Sequence, residues 1–172
     1  MSLDSLEKLF LEELKDIYNA EKQILRALPR MAKTAESPDL AEAFTKHLRE
    51  TEGHVQRLER IFKELGHAPR GKKCKGMEGL LEEGKEVMEE DGDPAVIDAA
   101  LIAGAQRVEH YEIAAYGCLR SYAELLGYTQ AQQLLQQNLA EEEAADKKLT
   151  QLGESGINEA AAGVGAGMDD SE

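Results

Sequence analysis

Apolar residues recur in steps of three and four along most of the chain, and no stretch alternates with period two. That is the pattern of amphipathic helices packed in a bundle. The first line is Phe10, Leu14, Ile17, Glu21, Ile24, Leu28, Met31 and Ala35, which predicts a helix over 3–35 with an acid at a core position. Pro29 lies inside it and cannot donate to Leu25, so a kink or break is expected there. Ser37 and Pro38 read as an N-cap followed by a first-turn proline, with Asp39 suiting the helix dipole. The second line is Leu40, Phe44, His47, Thr51, His54, Leu58, Ile61 and Leu65, in a helix over 38–65 that stops at Gly66. Three polar residues in a row interrupt it, with Glu50 beside them.

Residues 66–93 are a long connection, basic from His67 to Lys75. Met77, Leu80, Leu81, Gly84, Val87 and Met88 predict a short helix within it. Asp93-Pro94 opens a third long helix to about 126, with the seam Ile102, Ala105, Glu109, Glu112, Tyr116, Leu119 and Ala123. Thr129 opens a fourth, with Gln132 at capping-box spacing. Its line is Leu135, Leu139, Glu142, Asp146, Leu149 and Leu152, ending at Gly153. Residues 1–153 thus form one bundle, and 154–172 are expected to be a disordered acidic tail. Two hairpins of long helices joined by nearly thirty residues make the middle helices parallel. The expected fold is all-α, a ferritin-like four-helix bundle with one long crossover carrying a short fifth helix.

Composition fits an aliphatic, alanine-rich core: 42% of the 172 residues are hydrophobic but only 5% aromatic, and Trp is absent. Thirty-four acids against 20 Lys and Arg give a formal charge of −14. That argues against nucleic acid as a general ligand, because phosphate contacts need clustered cations. It suits a protein that attracts metal cations. Cys74 and Cys118 have neither CxxC nor finger spacing, so no disulfide framework is expected. No signal-peptide pattern opens the chain, and no apolar run reaches the roughly 18–20 residues that cross a bilayer. A cytoplasmic protein with no membrane partner is expected.

The seam acids carry the candidate chemistry, since uncompensated acids are costly to bury. Each long helix offers some: Glu21; Glu50 with His54; Glu109 with Glu112; and Glu142 or Glu143 with Asp146. Glu21 and His54 are 33 residues apart, and so are Glu109 and Glu142, which brings all four to one height in two matched hairpins. Di-iron carboxylate bundles place a Glu on two helices and Glu-x-x-His on the other two. A dinuclear centre needs about six such ligands, with carboxylates able to bridge two cations.

Several segments, in order, resemble the YciF/YciE family of bacterial stress-associated, ferritin-like proteins, from Leu6 to Leu152. They are Tyr18-Asn19-Ala20-Glu21-Lys22-Gln23, His47-Leu48-Arg49-Glu50-Thr51, Cys74-Lys75-Gly76-Met77-Glu78-Gly79-Leu80, Val108-Glu109-His110-Tyr111-Glu112-Ile113-Ala114, and Glu141-Glu142-Glu143 followed by Asp146. The resemblance implies a rubrerythrin-like bundle, a dinuclear metal site and a homodimer. The chain departs from the ferritin pattern on helix two, where Thr51 rather than an acid stands three residues before His54. It departs again on helix four, where Asp146 replaces the usual His. It also lacks the rubredoxin-like cysteines of rubrerythrins.

The expected function is therefore that of a stress-response protein binding two metal ions, iron first, with manganese or zinc as alternatives. Ferroxidase or peroxidase-like turnover with O₂ or peroxide follows by resemblance only. The alternative is a non-enzymatic helical dimer with structural metal or none. A weaker third option is a partner-binding bundle using the crossover helix. His47 is expected to support Glu50, and His110 to point away from the site. Tyr18, Tyr111 and Tyr116 are expected to pack in the core with satisfied hydroxyls, Cys74 to be an inert loop thiol, and Met77 and Met88 to anchor the crossover helix.

Overall fold

A computed structural model describes residues 3–164. Four long helices carry the fold: α1 (Leu6–Thr34), α2 (Pro38–Glu64), α4 (Pro94–Leu125) and α5 (Thr129–Leu152), with the shorter α3 (Lys75–Glu89) in the crossover. Every apolar seam residue of α1 from Phe10 to Met31 is buried, and so is Glu21 among them. Ser37 and Asp93 cap α2 and α4 through their side chains, each followed by proline in the first turn.

Two glycines set the turns. At the end of α2, Gly66 takes a φ of 73°, His67 N donates to Phe62 O at 2.9 Å and Gly66 N to Lys63 O at 3.1 Å. Gly127 repeats this with a φ of 74°, Tyr128 N donating to Ala123 O and Gly127 N to Glu124 O. Both are left-handed stops that satisfy the last carbonyls of their helices. The second is so tight that Tyr128 closes α4 and starts α5 at once. Thr129 is then already helical, so the expected capping box with Gln132 does not form; Gln132 N donates to Tyr128 O instead.

α1 also differs from expectation, running unbroken through Pro29. The proline lies on the exposed side near the helix end, so the carbonyl it leaves at Leu25 is close to solvent. Past α5, the segment Gly153–Ile157 kinks at Gly156, whose backbone is not helical, and leads into α6 (Asn158–Gly163), which rests on α4. The first part of the expected tail is thus helical, with Ile157 half-buried against the core. The rest of that stretch, 165–172, lies outside the described residues.

Around the bundle the order is α1, α2, α5, α4, with α3 lying across α1 and α4. Arg57 meets Asn138 and His54 meets Glu141, so α2 and α5 are antiparallel. α5 is antiparallel to α4 through the Gly127 turn, so α2 and α4 run parallel. This is the ferritin-like arrangement that the long crossover demands.

The crossover is fastened rather than loose. Lys72 N donates to Lys15 O at 3.1 Å, and Cys74 N to Asn19 Oδ1 at 2.8 Å. Gly71 packs so tightly that a Cβ there would lie 2.9 Å from the Asn19 Cβ. Cys74 is buried, caps α3 and lies 2.9 Å from the Tyr111 hydroxyl, which donates to Asp16. Burial first pushes the Cys74 thiol up, so it stays protonated.

One buried acid is a fastener. Asp98, 3% exposed, accepts from Glu36 N at 2.9 Å and Ser37 N at 2.7 Å, gripping the α1–α2 turn from α4. Asp98→Ala is expected to lower the unfolding free energy by about 2–3 kcal/mol, because two buried amides lose a charged acceptor. Asp98→Asn, keeping one acceptor, should lose less in the same urea titration.

Candidate metal centre

The seams of the four long helices meet at mid-height, and there the core turns polar. Glu21 from α1, His47 and His54 from α2, Glu109 and Glu112 from α4, and Glu142 from α5 are all buried. Spacing explains the convergence. His47 and His54 are two turns apart on one face, Glu109 and Glu112 one turn apart, so each helix delivers its donors to one side.

These side chains form two groups. Ligand atoms of His47, Glu109, Glu112 and Glu142 lie within 4.8 Å of one another, as do those of Glu21, His54 and Glu142. Glu142 belongs to both. Its Oε1 is 2.9 Å from His54 Nδ1, and its Oε2 is 3.5 Å from His47 Nε2. His54 Nδ1 is also 3.2 Å from Glu21 Oε1, and His47 Nε2 is 3.3 Å from Glu109 Oε1.

Few of these contacts are aligned hydrogen bonds. Both oxygens of Glu112 and of Glu142, one each of Glu21 and Glu109, His47 Nε2 and His54 Nδ1 lack a hydrogen-bond partner. Native interiors hold only a few such atoms, scattered, whereas eight gather here in one cluster. Burial raises Glu109 and Glu112 well above the usual carboxylate range, with the charge of Glu142 adding to it, while His47 pulls Glu109 back. Burial likewise raises Glu142 against the pull of His54. For His54, burial acts downward but Glu142 and Glu21 outweigh it, bringing the imidazole up to about 11. The cluster holds protons where divalent cations would fit the same donors.

An outer layer fixes the donors. Glu141 accepts from His54 Nε2 at 2.8 Å and pairs with Arg57 through two contacts of 2.9 Å. A carboxylate can only accept, so Nε2 carries a proton and Nδ1 faces the acids. The Tyr116 hydroxyl, fully buried, donates to Glu21 Oε1.

Of the residues singled out from sequence, Glu21, His54, Glu109, Glu112 and Glu142 meet here, and three do not. Glu50 points outward, 3.0 Å from Lys46 Nζ and 3.4 Å from His47 Nδ1, and His47 holds its carboxyl down to about 2. The supporting relation runs from Glu50 to His47, and His47 takes the inner place. Glu143 is exposed, because one residue along a helix turns a side chain about 100° from Glu142. Asp146 is half-buried and held by Gln106 Nε2 at 3.1 Å, on the side of α5 facing the α4 edge. His110 is largely exposed, 3.4 Å from Asp146. Sequence reasoning placed His47 in support only and missed Glu141. The seam position of His47 was the available signal; Glu141 lies off the seam and offered none.

The chain matches a family model described as "Domain of unknown function (DUF892)" over residues 5–162. It is 44% identical over 162 residues to Protein YciF of Escherichia coli, covering 94% of this chain and 98% of that one. The crystal structure of the E. coli stress protein YciF superposes with a TM-score of 0.87 at 45% identity, covering 91% of this chain and 99% of that one. YcfI of Rhodopseudomonas palustris gives 0.84 at 46% identity, over 87% and 97%. A protein of Xanthomonas campestris at 20% identity and a TM-score of 0.68, over 88% and 92%, shares the fold.

Proposed function

We propose that this chain, which belongs to the DUF892 family and is a homologue of the stress protein YciF, binds two divalent metal ions in a carboxylate-bridged centre. The observation that carries the reading is Glu142, whose two oxygens are shared between two groups of buried donors and have no hydrogen-bond partner of their own. The donor set fits. Four carboxylates and two imidazoles give about six ligands, and two divalent ions neutralise the four negative charges. Mixed oxygen and imidazole donors suit iron, manganese or zinc.

In the loaded protein, Glu21 and His54 would hold one ion, His47, Glu109 and Glu112 the other, and Glu142 would be shared by both. Glu141 keeps the His54 lone pair aimed inward, and Tyr116 holds a proton against Glu21. Iron or manganese would supply electron transfer to O₂ or peroxide, giving ferroxidase or peroxidase-like chemistry in a stress response. The reading includes a homodimer acting in the cytoplasm. Among the described residues, no helix is long and apolar enough to cross a membrane.

The experiment is anaerobic loading with Fe(II), followed by O₂ or peroxide. Oxidation well above that of a Glu21→Ala/Glu109→Ala variant is expected. Two ions bound without any oxidation above that variant would leave a structural metal centre. No binding would remove the proposal. Glu141→Ala should weaken metal affinity by about 10–100-fold while leaving the stoichiometry at saturation unchanged, read by competition against a chromophoric chelator.

A further inference from the structure

We propose that the cleft between α2 and α5 is the path by which divalent cations reach this centre, an inference that rests on the dinuclear reading. The cleft has a volume of about 310 Å³ and its inner end is formed by His47 and Glu109, both of them donors of the second group. His47 is 5% exposed and Glu109 3%, and His47 Nε2 and Glu109 Oε2 lack hydrogen-bond partners. Unpartnered buried atoms at the end of an open cleft mark where an incoming cation comes to rest.

Four other hollows touch none of the six donors. One lies at the bundle end near Asp98 and Ile157, and one of about 20 Å³ lies beneath α3. The others are a shallow surface around Arg57 and a depression beside Phe10.

The lining suits a small cation. Asp39, Glu42 and Glu50 stand on the α2 side, against Lys46 and Lys148, so acids outnumber bases before Glu109 is reached. Glu50 sits between rim and centre, joined to His47 Nδ1 at 3.4 Å, and gives the ion a carboxylate on its way to the imidazole. Ala43, Ala144 and Ala145 leave the passage open, while Phe44 and Leu149 line it with apolar surface. Such walls lower the local dielectric and strengthen the pull of the acids.

The test mixes metal-stripped full-length protein with Co(II) and follows the visible absorption of the bound ion with time. Ala144→Phe plugs an exposed wall position, and Glu42→Lys reverses a rim charge, neither within the donor set. Both should load more slowly by about tenfold or more, the lower end of what a focusing cleft contributes to association. Final stoichiometry and equilibrium affinity should match the unsubstituted chain. Ala140→Phe, exposed one turn earlier on α5 and outside the cleft, should load at the unsubstituted rate. Unchanged rates in both cleft variants, or equal slowing in Ala140→Phe, would overturn the path while leaving the metal centre standing. Failure of the unsubstituted chain to take up cobalt would overturn both.

Discussion

Glu142→Ala is expected to abolish retention of both metal ions together. Its two oxygens face different donor groups, so its loss leaves Glu21 and His54 as a pair and His47, Glu109 and Glu112 as a trio. Neither remnant has a carboxylate linking it to the other. Metal content after dialysis should fall from about two ions per chain to near zero, with helical content unchanged by circular dichroism. Glu143→Ala is the matched control: its side chain is exposed one position along α5 and should leave content at the unsubstituted level. One ion retained by Glu142→Ala would mean two independent sites and would refute bridging.

Chelation should produce the largest change in stability. A ligand present at about 1,000 times its dissociation constant adds about 4 kcal/mol to the folded state. At about 2–4 °C per kcal/mol for a chain of this size, stripping even one such ion lowers the melting temperature by about 10 °C. The pH dependence should change with it. In the stripped protein, burial holds Glu109 and Glu112 well above their ordinary value of 4.5, and His54 is raised from 6.5 to about 11. A group raised on folding stabilises fully below its unfolded pKa, and the gain is lost as pH climbs through the folded value. Stripped protein should therefore melt lower at about pH 9 than at about pH 6, mainly across the His54 window. In loaded protein the ions replace those protons, so affinity should rise over the same interval and the loss of stability should be absent. Calorimetry at the two pH values, with and without chelator, reads the sign directly.

Much of the architecture was legible from periodicity, because each long helix packs a single continuous seam. Phe10 to Met31 and Ile102 to Ala123 are buried along the predicted lines, polar members included. Gly66 and Gly127 mark helix ends because only a residue without Cβ takes the left-handed turn cheaply. The site was legible as far as the seam alone was followed. Glu21, Glu109, Glu112 and Glu142 come from it directly, whereas Glu50 came from pairing an acid with His54 on the ferritin pattern. His47 already occupied the seam two turns from His54. Asp146 fits the line by spacing, but Gln106 holds it at the edge of α5. Asp98 and Glu141 were invisible because their partners, the Glu36 and Ser37 amides and Arg57, come from tertiary packing. Pro29 misled because its consequence depends on which side of the helix faces solvent.

The six donors divide evenly between the two hairpins: Glu21, His47 and His54 on α1–α2, and Glu109, Glu112 and Glu142 on α4–α5. Each group draws donors from both halves, His47 joining the three acids of α4–α5 and Glu142 joining Glu21 and His54, so neither is complete until the halves have docked. Ions bound there would act as rivets set after assembly. They would slow the separation of the halves far more than they hasten their meeting, lengthening the lifetime of the native molecule without quickening its formation.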